Sequence, residues 1–328
     1  MKKIPIILDG DPGHDDAIAW VMANAIKEFD IKGITTVAGN QTIEKTTLNA
    51  RRISALIGLD VPVAKGSDIP LLGNLVTAAN FHGESGLDGP ELPEPIREAE
   101  DISAPELMAK ILKESDEPVV IVSTGPTTNV ASLLLANPEL KEKIKCISFM
   151  GGGLRTGNWT SCAEFNIVVD PEALDIVFNS GVPIIMSGLD VTEKALCYPE
   201  EYEQIRALGN PVAEVVAGWF DFFMKHLRTL GYRGATLHDP CAVLALVRPD
   251  IFKFKDLYVE VERCGHYTRG ATIPDYYGQK NKKPNVKVAV EINREEFIQV
   301  LIDCCRAYNE EGGKIWVKYL FGLIQTAV

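Results

Sequence analysis

The chain has 328 residues, of which 45 are acidic and 33 basic, so its formal net charge is −12; 46% of its residues are hydrophobic. Neutralising phosphates takes a basic face, so the acid surplus argues against a nucleic-acid partner, and an anionic membrane surface is disfavoured on the same ground. The apolar content is that of a globular protein, and no run of about 18 apolar residues is present to span a bilayer.

In chain order, short apolar runs at 4–8, 31–37, 61–64, 119–123, 144–150 and 183–188 predict strands. They lack polar alternation, as strands covered on both faces do. Helices are predicted between them at 15–29, 42–57, 104–113, 129–137 and 171–180. This β-α-β-α rhythm predicts an α/β fold, with an open, mostly parallel, Rossmann-like central sheet and helices on both faces. Further on, 200–208, 211–230 and 239–247 predict additional C-terminal helices, 257–263 and 286–292 a hairpin-like pair of strands, and 293–310 a closing helix. No linker or internal repeat divides the chain. Residues 1–328 therefore read as one α/β domain with an apolar extension at 312–328 suited to a packed helix or a subunit contact. Two loops, 65–100 and 151–170, exceed the usual length and are candidates for function. The seven cysteines (Cys146, Cys162, Cys197, Cys241, Cys264, Cys304 and Cys305) form no CxxC pair. They fit a reduced compartment, and the N-terminal apolar run is too short for a signal peptide, so a cytoplasmic location is expected.

The strongest local signal is Asp9-Gly10-Asp11-Pro12-Gly13-His14-Asp15-Asp16, directly after the first predicted strand. Four carboxylates within eight residues repel one another. A helix N-terminus relieves part of that cost, but four acids exceed what capping requires. Hard cations take several oxygen ligands, and a turn aiming Asp11 and Asp16 at one point supplies part of such a shell. No His/Cys cluster has zinc spacing. Asn40 follows the second strand, Thr124-Gly125-Pro126 the strand at 119–123, and Gly151-Gly152-Gly153 the strand ending at Met150. In open α/β sheets ligands bind beyond the carboxyl ends of strands, where all these groups fall.

Asp9–Ala17 resembles the signature of the nucleoside hydrolase family, the inosine–uridine-preferring and pyrimidine-specific ribonucleoside hydrolases, roughly D-x-D-P-G-x-D-D-A. The likeness continues in the family's order through residues 37–40, His82-Gly83-Glu84-Ser85-Gly86-Leu87-Asp88-Gly89, residues 124–129, residues 150–153, Gly157-Asn158, Ala163-Glu164-Phe165-Asn166 and His238-Asp239, spanning about residues 4–310. It is closest to the bacterial pyrimidine type. The resemblance implies Ca²⁺-dependent hydrolysis of a ribonucleoside, such as uridine or cytidine, to ribose and free base. It places Asp11, Asp16 and Asp239 as carboxylate ligands of the ion and Thr124 as a ligand through its main-chain carbonyl. Asp11 is then the general base for the water the ion holds. Asp15, Asn40, Asn158, Glu164 and Asn166 are expected on the ribose hydroxyls, with Phe165 beside the sugar. His82 and His238 fall near the base and could bind or protonate it. His226 is a further candidate base contact. In pyrimidine-type members its place holds Gln with a Tyr four residues later, whereas here Leu230 stands there and Tyr232 two beyond, which leaves base preference open. The family's habit and the apolar tail suggest a homo-oligomer, a dimer or tetramer.

Three other readings stay open. A haloacid-dehalogenase-type phosphatase also begins D-x-D, but it expects Thr or Val where Gly13 stands and gives the later motifs no purpose. A non-catalytic nucleoside- or ribose-binding protein on the same scaffold is opposed by the intact base and ion ligands. A hydrolase of purine or modified nucleosides keeps the chemistry and changes the substrate. The crowded acids suit a neutral nucleoside whose ribose turns cationic in the transition state better than an anionic nucleotide.

Overall fold

The computed structural model describes residues 2–229 and 231–310, without the side chain of His226. The expectations for His226, Leu230 and the 312–328 extension lie outside the described residues.

The first half runs β1 (Ile4–Gly10), α1 (His14–Ala25), β2 (Phe29–Thr36), α2 (Ile43–Leu56), β3 (Val63–Lys65), α3 (Ala79–His82), α4 (Ala104–Glu114), β4 (Val119–Ser123), α5 (Thr128–Ala136) and β5 (Ile144–Met150). The second half runs α6 (Phe165–Val169), α7 (Pro171–Phe178), β6 (Ile184–Ser187), α8 (Leu189–Thr192), β7 (Leu196–Cys197), α9 (Pro199–Arg206), α10 (Pro211–Thr229), β8 (Ala235–Thr236), α11 (Pro240–Val247), β9 (Phe252–Leu257), β10 (Val259–Val261), β11 (Thr272–Pro274), β12 (Val286–Ile292) and α12 (Arg294–Ala307). The main sheet has the order β3-β2-β1-β4-β5-β6-β12-β9 and is parallel except for β9. Helices cover both faces, as the uninterrupted apolar strands require. Along β1, Ile6 and Leu8 join Trp20, Met22 and Phe297 on one face, while Ile7 joins Leu107, Ile121 and Leu133 on the other. No helix among the described residues is long and apolar enough to cross a membrane.

Strand order reverses between β1 and β4, which are neighbours in space although the chain between them builds β2 and β3 on the far side of β1. The crevice at such a switch, outside the carboxyl ends of the strands, is where open α/β sheets bind ligands. The Asp9–Asp16 turn and Thr124 both stand there.

Two predicted elements differ. Helix α1 stops at Ala25 rather than 29, because Phe29 enters the sheet opposite Ile4, and its apolar side chain is buried by a strand, not by a helical face. The run at 257–263 is divided. β9 pairs antiparallel with β12 at the sheet edge, where exposed Lys253 and Asp256 blunt it, while β10 leaves to pair with β11. Thus β12 is a full member of the main sheet, beside β6, and not part of a two-stranded addition. The two long loops each hold one short helix, α3 and α6. They are tied together by Asp170, which caps α7 through Ala173 N and accepts from Leu71 N at 2.8 Å and Thr128 Oγ1 at 2.7 Å.

Candidate active site

A cavity of about 440 Å³ opens at the switch point. Its floor is built from the acidic turn. Pro12 and Gly13 carry the chain from β1 into α1, and Gly13 precedes the helix in extended backbone, its N–H donating to Asp16 Oδ2 at 3.0 Å. That bond and the helix N-terminus both favour a carboxylate at Asp16. Thr124 Oγ1 donates to the other Asp16 oxygen at 2.5 Å.

Asp11 is fully buried and held by one bond, from Asn40 N to Oδ2 at 2.6 Å; its Oδ1 is buried with no hydrogen-bond partner. The carboxylate is packed between two glycines. A Cβ at Gly39 would stand 2.1 Å from Asp11 Oδ2, and one at Gly125 2.5 Å from Oδ1, so side chains at either place would displace it. Asp15, Asp16 and Asp239 bring oxygens within 4.8 Å of one another, a cluster able to hold a metal ion. Asp15 and Asp239 line the cavity, whereas Asp11 and Asp16 lie fully buried behind them. With four acids so close, burial and then the charge of Asp16 hold Asp11 well above the usual carboxylate range. Burial and the charges of Asp15, Asp16 and Asp11 do the same to Asp239. Asp15 is pushed up to about 7 by burial and Asp16.

Asp9 stands one layer below. Asn129 Nδ2 at 2.8 Å and Thr35 Oγ1 at 2.8 Å donate to its Oδ1 and Ser123 Oγ at 3.3 Å to its Oδ2, so it braces the strand ends. Burial still lifts it to about 6.

The wall beside the floor comes from the 151–170 loop. Glu164 caps α6 by accepting from Asn166 N at 3.0 Å and takes a second bond from Gly152 N at 2.9 Å; burial raises it to about 7 despite both. Asn166 Nδ2 donates to the Thr124 carbonyl at 2.9 Å and the Met150 carbonyl at 3.2 Å, joining the ends of β4 and β5. Asn158 Oδ1 accepts from Phe165 N at 3.0 Å, and Trp159 packs on the Phe165 ring with centroids 5.0 Å apart.

His82 and His238 both line the cavity, and His238 Nδ1 meets Thr192 Oγ1 at 2.8 Å. Burial pulls His238 down to about 4 and His82 well below the usual imidazole range.

The structure therefore brings Asp15, Asn40, Thr124, Asn158, Glu164, Phe165, Asn166, Asp239, His82 and His238 to the lining of one cavity, and His82 lies against the acidic turn, its Nδ1 accepting from His14 N at 3.3 Å. Several contributors were not expected from sequence. His14 is one: its Nδ1 lies 3.1 Å from His82 Nδ1 and its Nε2 2.8 Å from the Asp88 carbonyl, with its ring stacked on Phe222. The signal was its place inside the first motif, opposite the His82–Gly89 motif. Trp159, Phe223, Leu227, Tyr232 and Glu193 also line the cavity and carried no motif.

The chain is similar to known proteins along most of its length. The family model described as inosine-uridine preferring nucleoside hydrolase matches residues 6–299. The chain is 53% identical over 308 residues to a pyrimidine-specific ribonucleoside hydrolase of Escherichia coli, covering 93% of this chain and 99% of that one. A purine-preferring ribonucleoside hydrolase from Gardnerella vaginalis superposes with a TM-score of 0.87 at 34% identity, covering 93% of this chain and 98% of that one. A plant nucleoside hydrolase superposes with a TM-score of 0.86 at 29% identity, covering 93% and 99%. The chain belongs to the inosine-uridine preferring nucleoside hydrolase family and is an enzyme of the ribonucleoside hydrolase type.

Proposed function

We propose that this enzyme hydrolyses the N-glycosidic bond of pyrimidine ribonucleosides, uridine or cytidine, releasing ribose and free base, with Ca²⁺ at the cavity floor. The observation that carries the reading is the convergence of Asp11, Asp15, Asp16 and Asp239 beneath a cavity that His82, His238, Phe165 and Trp159 also line. Pyrimidine preference is taken from the Escherichia coli relative, which is named for it and is 53% identical.

The donor set suits a hard cation. It is all oxygen, Asp11 Oδ1 is buried without a partner, and the mutual repulsion of the four acids is what a divalent ion offsets. Asp11, Asp16, Asp239 and the Thr124 carbonyl, whose second lone pair is left by Asn166, would hold it. When bound, the ion supplies positive charge that anchors ribose hydroxyls and makes water more acidic.

The chain's own groups do the rest. Asp11 accepts the proton of the attacking water, a role open to a buried carboxylate whose Oδ1 has no hydrogen-bond partner. The water attacks the anomeric carbon as the bond to the base breaks, and the surrounding carboxylates stabilise the oxocarbenium-like ribose. Asp15, Asn40, Glu164 and Asn166 receive the ribose hydroxyls, with Asn158 and Phe165 closing the sugar from the rim. His82 and His238 meet the leaving base and bind or protonate it. The test is ribose release from uridine, cytidine, inosine, adenosine and guanosine in Ca²⁺-containing buffer. Release from the pyrimidine nucleosides well above the purine ones is expected. No release from any of the five would overturn hydrolysis, and a preference for inosine would overturn the pyrimidine assignment.

A further inference from the structure

Four described carboxyl groups line the cavity. Asp15 and Asp239 belong to the acid cluster and Glu164 adds its charge to Asp15, whereas the fourth, Glu193, has no part in either. Glu193 follows the last residue of α8, directly after Thr192, whose hydroxyl touches His238. It therefore stands near His238, and it lies outside the Asp15, Asp16 and Asp239 group that can hold a metal ion. Its carboxyl is half-buried and has no hydrogen bond or ion pair among the described residues; the adjacent Lys194 turns away to the Val290 carbonyl at 2.9 Å. Tyr232 lines the same cavity, and its hydroxyl makes no bond among the described residues either. The charge of Glu193 reaches Tyr232, adding to the burial that raises its phenol. Phe223 and Leu227 supply the apolar surface around them. A desolvated carboxyl with no donor is costly to keep, and a ligand that brings a donor relieves that cost.

An ionised carboxylate only accepts hydrogen bonds. Cytosine presents an exocyclic amino donor at the ring position where uracil-type bases present a carbonyl oxygen. The first is attracted to a carboxylate and the second repelled.

We propose that Glu193 is a specificity residue for the base: its carboxylate receives the exocyclic amino group of cytosine, beside the Tyr232 hydroxyl, and selects cytidine over uridine. This rests on the pyrimidine ribonucleoside reading above and names the member of that class. The test is the ratio of kcat/KM for cytidine to that for uridine in the Ca²⁺-loaded enzyme, for wild type, Glu193→Gln and Glu193→Ala, with thermal melts confirming folding. Wild type should favour cytidine by about tenfold or more, the discrimination expected of a hydrogen bond to a charged group. Glu193→Gln, whose amide can face either base, should bring the ratio near one, and Glu193→Ala should do so mainly by losing cytidine. A wild-type preference for uridine, or an unchanged ratio in both variants, would overturn the proposal while leaving pyrimidine hydrolysis standing. If neither nucleoside is hydrolysed, the functional reading fails, and the ratio of calorimetric Kd values for the two nucleosides still decides: equal Kd in wild type and variants overturns the role of Glu193.

Discussion

Gly39→Ala tests how tightly the structure holds Asp11. An added Cβ would stand 2.1 Å from Asp11 Oδ2, 3.0 Å from its Cγ and 3.0 Å from Pro126 Cδ. The tightest separation a real Cβ tolerates is about 3 Å, so the carboxylate must retreat by about 1 Å. Retreat breaks its one hydrogen bond, the 2.6 Å contact from Asn40 N. Overpacking of this kind costs about 1–3 kcal/mol, within the 5–15 kcal/mol of a typical domain, so the variant should fold. A reacting group misplaced by about 1 Å costs on the order of a hundredfold in rate. The assay is steady-state ribose release with saturating nucleoside, beside a thermal melt. A fall in kcat of about a hundredfold with a small loss of Tm is expected. A folded variant with kcat within a few-fold of wild type would refute the view that Asp11 must sit where the structure holds it.

Asn166→Ala strips the Thr124 and Met150 carbonyls of their shared donor; thermal or denaturant unfolding should show a loss of about 1–3 kcal/mol, along with weaker substrate binding. His14→Phe keeps the ring stacked on Phe222 but removes the contacts to His82 and Asp88, so the fold should survive while turnover drops roughly tenfold or more. Wild-type kinetics in that variant would show that His82 needs no support from His14. In the metal-free protein Asp9 sits at about 6, and Asp15 and Glu164 at about 7, all above the ordinary carboxyl values of 3.8 and 4.5. These groups favour the protonated folded state. Their stabilisation is complete below about pH 4 and lost as pH rises through about 6 to 7, Glu164 alone accounting for about 3 kcal/mol. Chelated protein should therefore melt at a lower temperature at pH 8 than at pH 5; a rise in Tm over that range would contradict the assignment.

The sequence made the sheet legible because strands such as Val119–Ser123 are apolar throughout and separated by helical periods, which only a doubly covered parallel sheet requires. The acidic turn was legible because like charges at that density need a reason. The division of 257–263 was not, since Leu257-Tyr258-Val259 reads as one apolar stretch while the backbone changes partner. Nor was the rest of the cavity lining. Phe223 and Leu227 lie on one face of α10 and read as ordinary helix core, and Glu193 reads as a surface acid beside Lys194. A local pattern says that a helix has an apolar face, but not that part of that face is left open for a ligand. His14 was hidden for a related reason: its partners, His82 and Asp88, are 68 and 74 residues away along the chain.

The most direct measurement is ribose release from uridine and cytidine by enzyme stripped with a chelator and then titrated with Ca²⁺. Activity should vanish in the stripped protein and return with Ca²⁺ in a saturable way. Turnover undiminished after complete removal of divalent ions would contradict a metal held by Asp11, Asp16, Asp239 and Thr124.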